Sequence, residues 1–444
     1  MHSQEETTTV QWTTRILCMA CFALLFAFVA ALGQAAPALA QGNEGDENTA
    51  TIVVQDEGGA VVRAITFTES ITGLAALEAT GLGLDLAETQ FGPAICSIEN
   101  TGCPSDNCFC NPDEFWGYNF FDGTGWQSWP EGAATATLTQ TNAIDGWRWG
   151  VFGASMVSPQ VVQALPALDW ILAQQSPKTG GYANIAGSVE AAMALGANGL
   201  AADTWQVEGG TRSLADYLRV RQGKFSRESV AAAGKLAVAL SAANACFARN
   251  TLTPNDWLEG DNTAYSTDSG ANAWAILGAA AIQQIVPTAA IETLSAAVLP
   301  EGGWEWQAGF GADTNTTALA IQALIATGTP VTDTLIVDGL EFLKSAQQED
   351  GGFAYDQAGG FGGDANSTAY VLQALAAVGA DPLSDAWLVD GVSAVDFLVG
   401  LQLEDGSVEW QAESGSNLLA TQQFVPALLA QAYPITVAEM VVCQ

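Results

Sequence analysis

Histidine is almost missing from this sequence: its one copy is His2, so no imidazole occurs downstream of residue 2. That argues against any mechanism in which the rest of the chain takes a proton with a histidine base. Basic residues are scarce too, 12 Lys and Arg against 48 Asp and Glu, for a formal net charge of −36. A chain so acidic repels nucleic acid and anionic membrane surfaces, which removes both as extended partners. The excess of acid suits a cationic ligand, a saline habitat or plain solubility, and a solvated acidic surface is the simplest account. Apolar runs of membrane-spanning length are also rare. One follows Arg15 (ILCMACFALLFAFVAALG), and none stands near the closing VAEMVVCQ. APALA before Gln41 supplies the small residues that a signal peptidase needs, so residues 1–40 read as a signal peptide and the protein as secreted or held at the cell surface. An uncleaved anchor is the alternative, because the run is near the ~18 residues that can span a bilayer. Residues 41–48 read as a polar, acidic linker.

What the sequence does have is a repeat. EGGWEWQAGFGADTNTTALAIQALIATG is followed by DGGFAYDQAGGFGGDANSTAYVLQALAAVG, and Asp313 and Asp364, Asn315 and Asn366, and Thr317 and Thr368 each stand 51 residues apart. A fixed period of this size marks stacked supersecondary units. Downstream, Thr421 takes the place of Thr368, and Glu409 to Gln411 echo Glu305 to Gln307. Upstream, the small-residue helix recurs without the full turn. Six inner helices are predicted, starting near Ser188, Ala233, Asn272, Thr317, Thr368 and Thr421. They are apolar on nearly every side, which implies burial all round. Longer amphipathic helices fall between most of them; the partner before Asn272 is weak, since TPNDWLEGDN is barely helical. Six hairpins with a buried inner ring predict a closed α/α toroid. An open solenoid is the other solution, but it needs polar end caps and none is visible.

At 444 residues the chain is too long for one ordinary core, so a second domain is expected. Residues 49–150 supply it: TATIVVQ, AVVRAITFTE, FWGYNFF, WQSW and ATATLTQ read as strands and SITGLAALEATG as a short helix. The fold class is therefore multidomain α+β, a small β-rich N-terminal domain followed by an (α/α)6 toroid over residues 159–444. Beyond the leader, six cysteines remain: Cys96, Cys103, Cys108, Cys110, Cys246 and Cys443. An even number in an exported chain reads as disulfides. The first four staple one loop in a connectivity the sequence leaves open, and Cys246 and Cys443 are left to pair, tying the second inner helix to the C-terminus. A zinc site is the rival for the clustered four, disfavoured by the CxC spacing.

QQEDGGF (347–353) and QLEDGS (402–407) resemble the turns of the prenyltransferase and squalene-cyclase repeat superfamily, which implies the α/α toroid over the helical part. TESITGLAALEATG, FWGYNFFDGTGW and DGWRWG make residues 49–150 similar to a transcobalamin-type β domain. Together they resemble, with the domain order swapped, the layout of cobalamin carriers of the transcobalamin and intrinsic-factor type. That resemblance implies a corrinoid held between the toroid mouth and the β domain. Zinc-dependent prenyl transfer is argued against by the missing histidine. The D-x-D-D acid of class II terpene cyclases is degraded here to Asp313-Thr314-Asn315-Thr316 and Asp364-Ala365-Asn366-Ser367, and the GCGEQ thioester motif is absent.

Binding chemistry is what these positions retain. Asp, Asn, Ser and Thr at a helix start are first of all N-caps. Their repetition also rings the mouth with polar groups, to which aromatic side chains add flat walls, the description of a site for a bulky, partly polar ligand. The candidate ligand-binding residues are Tyr182, Trp306, Asp313, Asn315, Tyr355, Asp364, Asn366, Trp410 and Asn417, with Trp147 and Trp149 from the β domain. For Trp304 and Phe353 the rival reading is packing, with glycine supplying the turn and the ring filling a gap. The expectation is a non-catalytic carrier of a small molecule, such as cobalamin, needing no cofactor or metal and delivering to a membrane uptake system or cell-surface protein. A toroid enzyme, terpene-cyclase-like or glycan-active through Asp313, Asp364, Glu305 and Glu409, is the second reading. A cell-surface protein-interaction module is the third.

Overall fold

The computed structural model describes residues 47–444 apart from 91, 261 and 357–359. The expected signal peptide, and the linker up to residue 46, lie outside the described residues.

Alternating apolar residues in the first segments build a five-stranded sheet in the order β2-β1-β10-β7-β8. Its strands are β1 (Glu47–Asp56), β2 (Gly59–Thr68), β7 (Phe115–Phe121), β8 (Trp126–Ser128) and β10 (Ala143–Gly150). β1 and β10 pair in parallel and the other neighbours antiparallel. Period-two geometry sends alternate residues of β1 to opposite faces. Ile52 and Val54 join Phe67, Trp116 and Trp147 in one core, under Leu77 of α1 (Gly73–Ala79). Val53, with Ala60 and Val62 of β2, belongs to the core of the helical ring instead. The short β3 (Ile71–Thr72) and β9 (Thr137–Leu138) pair with each other. A further hairpin, β4 (Leu84–Thr89) and β5 (Gly92–Ile98) with β6 (Thr101–Gly102), was not expected from the sequence. The Cys96–Cys108 and Cys103–Cys110 disulfides staple the loop after it.

Asp145 of β10 is 2% exposed and accepts hydrogen bonds from the Tyr118 hydroxyl and from Trp129 Nε1 (3.2 Å). Burial outweighs these bonds and pushes its carboxyl up to about 6. The folded value therefore exceeds the unfolded one near 3.9. The proton-bound form is favoured by folding, so this contribution is complete below about pH 4 and is lost as pH rises through about 6. Asp145→Asn is expected to remove it. Urea denaturation across that window should show about 3 kcal/mol less pH dependence in the variant than in the parent.

The helical part forms six outer-inner pairs. They are α2 (Ala164–Ala173) with α3 (Ile185–Ala197), α4 (Leu214–Phe225) with α5 (Val230–Ala242), a 3-10 turn (Pro254–Trp257) with α6 (Ser269–Ala281), α7 (Thr288–Ala296) with α8 (Thr314–Ala326), α9 (Thr334–Ser345) with α10 (Ala365–Ala377), and α11 (Ala394–Gly400) with α12 (Leu418–Leu428). The weak outer partner is the 3-10 turn, as its sequence suggested. Each inner helix packs on the next, and α12 packs on α3, so the ring closes into a toroid. Small residues permit the approach: a Cβ on Gly278 of α6 would lie 2.4 Å from Gly234 Cα of α5.

The repeated threonines fasten the turns. Thr317 accepts from the Trp304 amide (2.9 Å), Thr368 from Phe353 (2.9 Å) and Thr421 from Val408 (2.8 Å). The glycines before them (Gly302, Gly351 and Gly406) have φ of 90°, 86° and 88°, a region other residues rarely enter. Trp304 and Phe353 are fully buried. For these two rings, packing is the role the fold gives them.

The sheet docks on the C-terminal ends of the inner helices. Val62 N donates to Asn198 Oδ1 (2.7 Å), Asn198 Nδ2 returns a bond to Val62 O (3.1 Å), and Ala60 N donates to Leu429 O (2.8 Å). The C-terminal segment closes the same end. Tyr433 N donates to Gln322 Oε1 of α8 (2.8 Å), its ring lies 5.4 Å from that of Trp274 of α6, and Gln373 Nε2 of α10 donates to Gln431 O (3.0 Å). Tyr433 is buried, 3% exposed, and this short segment meets three members of the ring. The Cys246–Cys443 disulfide then ties this segment to the end of the second pair. No described helix is long and apolar enough to cross a membrane.

Candidate functional site

The inner helices run parallel, so their N-termini form one rim. Their caps are Asn184, Ser229, Asp268, Asp313, Asp364 and Asn417. Helical spacing places the second and sixth residues after each cap on one face. The second residues are Ala186, Ala231, Gly270, Asn315, Asn366 and Leu419; the sixth are Glu190, Lys235, Trp274, Leu319, Tyr370 and Gln423. The lower layer is bonded across the ring. Lys235 Nζ pairs with Glu190, lies 4.9 Å from the Trp274 ring centroid, and shares the carboxylate with Gln423 Nε2 (3.3 Å). Asn366 Nδ2 donates to Gln423 Oε1 (2.7 Å). The result is a polar floor beneath an upper layer of mostly small side chains.

Rim aromatics bridge neighbouring repeats. Amides in the first turn of three inner helices donate to their carbonyls: Gly270 N to Trp306 O (3.4 Å), Thr314 N to Tyr355 O (2.8 Å) and Ala365 N to Trp410 O (2.9 Å). The Trp306 ring lies on Gly270, where a Cβ would come within 2.0 Å of it. Tyr355 and Trp410 hydrogen-bond the carboxylates of Asp313 and Asp364. All three rings keep more than a third of their surface in solvent. Beside them stand Phe310, 78% exposed, Phe361, 81% exposed, and Leu419.

Asp313 Oδ1 caps Thr316 N (2.8 Å), and Asp364 caps Ser367 N (2.9 Å) and its hydroxyl (2.7 Å). Burial moves both carboxyls above the usual aspartate range, against those hydrogen bonds. Glu305 and Glu409 fold their own loops. Glu305 Oε2 accepts from Gly309 N and Gly311 N, and Glu409 accepts from Glu413 N and Gly415 N. The four repeated carboxylates thus each hold local structure. Asn417 caps Ala420 N (3.0 Å). Asn315 Oδ1 is buried in the upper layer without a hydrogen-bond partner. No group of three or more metal-binding side chains occurs among the described residues.

Of the residues singled out from sequence, Trp306, Asp313, Asn315, Tyr355, Asp364, Asn366, Trp410 and Asn417 come together at the rim. Tyr182 does not face it: the ring is buried and its hydroxyl accepts from Trp205 Nε1 (2.9 Å). Trp147 and Trp149 lie in the sheet region, at the other end of the inner helices. Trp147 is 3% exposed and stacks on Tyr118 at 4.4 Å, and Trp149 tilts against Trp116 at 5.7 Å. The expectation of a β domain facing the toroid mouth is corrected accordingly, because backbone pairing at Val62 and Ala60 fixes the sheet to the opposite end. Glu190, Lys235, Tyr370, Gln423 and Tyr433 were missed. The available signal was a charge inside each of two alanine-rich helices, six residues past the cap.

A search of curated proteins finds no match. Among solved structures, the chain is similar to the type II terpene cyclase MstE from Scytonema without ligand, at 14% identity over 61% of this chain and 98% of that one, with a TM-score of 0.39. A variant of MstE in complex with its substrate, geranylgeranyl dihydroxybenzoate, gives 14% identity, 63% and 100% coverage and a TM-score of 0.41. Residues 270–364, from α6 to the Asp364 cap, match the family profile described as the prenyltransferase alpha-alpha toroid domain. Over that stretch the chain is similar to this domain, whose description names the architecture of the closed ring.

Proposed function

We propose that this chain is an exported, non-catalytic binding protein that takes a bulky, partly polar small molecule at the rim of the toroid. One observation carries the reading: three half-exposed aromatic rings that bridge neighbouring repeats, Trp306, Tyr355 and Trp410, stand with Phe310, Phe361 and Leu419 at the N-terminal end of the inner ring, while Tyr433 and the sheet occupy the other end. Flat apolar groups of the ligand lie against Trp306, Tyr355 and Trp410, and its polar part is met by Asn315 and the Lys235–Glu190 floor. Exposed apolar clusters of this kind mark binding surfaces. A corrinoid gripped between mouth and β domain is not part of the proposal, because the sheet is docked at the far end. Export rests on the leader-like residues 1–40 and fits the three disulfides. Delivery to an uptake system or a cell-surface protein follows as the role of such a carrier.

Native mass spectrometry of protein purified from its source is expected to reveal a co-purifying small molecule. Trp306→Ala with Trp410→Ala should weaken its retention at least about tenfold, since truncating a central aromatic in a binding surface costs about 1–2 kcal/mol or more. Unchanged retention would remove the rim from the account. A toroid enzyme is the second reading, favoured by the raised carboxyls of Asp313 and Asp364, which suit a proton donor. Asp313→Asn with Asp364→Asn separates the two: the carrier keeps its ligand and shows no turnover to lose, whereas an acid catalyst keeps its ligand and loses turnover.

A further inference from the structure

Where the sheet meets the helical ring, a cavity of about 330 Å³ remains, at the lower end of the range of small-molecule sites. Part of its lining is apolar and buried: Leu372 of α10, Val395 of α11 and Leu428 of α12. Another part is charged, with Arg148 from β10 and Asp56 and Glu57 from the end of β1 and the turn after it. Arg148 is half-buried and held in place by two main-chain oxygens, Nε to Ser155 O (3.2 Å) and Nη1 to Trp149 O (2.6 Å). Among the described residues no carboxylate forms an ion pair with it. Burial lowers its pKa, against the fields of Asp56, Glu57 and Glu114.

A partly desolvated guanidinium whose carboxylate neighbours act on it only through their fields, with none in direct contact, keeps its planar fork for a carboxylate. In a chain of net charge −36 a simple anion is poorly served, because the same cavity holds three carboxylates, Asp56, Glu57 and Asp381, the last accepting from Leu383 N (2.9 Å). Asp56 is occupied, its oxygens accepting from Gly58 N (2.8 Å) and Thr101 Oγ1 (2.8 Å). Glu57 is exposed and has no such partners among the described residues. A ligand that satisfies every wall carries one charge of each sign and an apolar body.

We propose that this crevice binds a small zwitterion with an apolar side chain, an α-amino acid of the leucine or phenylalanine kind. Its carboxylate lies on Arg148, its ammonium on Glu57, and its side chain over Leu372, Val395 and Leu428. Calorimetric titration of the full chain with millimolar L-leucine tests this, alongside leucinamide, which lacks the carboxylate, N-acetylleucine, which lacks the ammonium, and glycine, which lacks the side chain. Leucine is expected to bind at least about tenfold more tightly than any of the three. Arg148→Gln should abolish the difference between leucine and leucinamide, and Glu57→Gln the difference between leucine and N-acetylleucine. No heat with leucine overturns the proposal, as does equal binding of leucine and leucinamide by the parent chain. If Arg148→Gln fails to fold, the three analogues and the exposed Glu57 still decide the matter.

Discussion

Serine at both Cys246 and Cys443 is expected to lower the unfolding free energy by about 5 kcal/mol. The bond joins residues 197 positions apart, and the entropy it removes from the unfolded chain grows with the logarithm of that separation. The folded state depends on it too. Phe247 N donates to Val441 O (2.7 Å), Cys443 N to Phe247 O (2.9 Å) and Ala438 N to Ala281 O (3.0 Å), so the bond holds in place the strap that carries Tyr433 into the ring. The pair Cys103–Cys110, separated by only 7 positions, provides the control: its loss should cost about 2 kcal/mol on the same argument. Guanidinium denaturation of both double-serine variants makes the comparison. Equal midpoints would show that neither the long loop nor the strap matters to stability.

The second large effect lies on the floor of the cup. Glu190 is 5% exposed, and its positive partner in the ring is Lys235. Lys235→Met leaves that carboxylate buried without a positive partner, with only the long bond from Gln423 Nε2 (3.3 Å), which is expected to cost about 3–5 kcal/mol. Replacing both members, Glu190→Leu with Lys235→Met, should recover most of the loss, because two apolar groups of similar size need no solvation. A double-mutant cycle by urea denaturation measures the coupling directly. If Lys235→Met costs no more than a surface substitution, the pair is not held in the way the geometry implies.

Much of the ring was legible because its signals are local. The 51-residue period marks the repeat, and the small residues of the inner helices mark burial on all sides. The cap roles of Asp313 and Asp364 follow from residue type and position alone. The Cys246–Cys443 bond was reachable by counting, once four cysteines were assigned to one loop. The β4–β5 hairpin escaped notice because LDLAETQFGPAICSI alternates weakly and contains Gly92 and Pro93. Glu190 and Lys235 escaped for a different reason. They stand on separate helices 45 residues apart, and nothing local says that one neutralises the other.

The sequence by itself determined six helical hairpins, a β-rich segment before them and a set of capped, aromatic-flanked turns, since each is set by residue type and spacing within a few dozen positions. Only the tertiary structure decided which end of the ring the sheet and the C-terminal segment cover. The carbonyls and amides of Val62 and Ala60 find partners at Asn198 and Leu429, and Tyr433 finds its place among Trp274, Gln322 and Gln373. Those contacts join residues up to hundreds of positions apart, and they exist only because ring closure brings the C-terminal ends of the helices together.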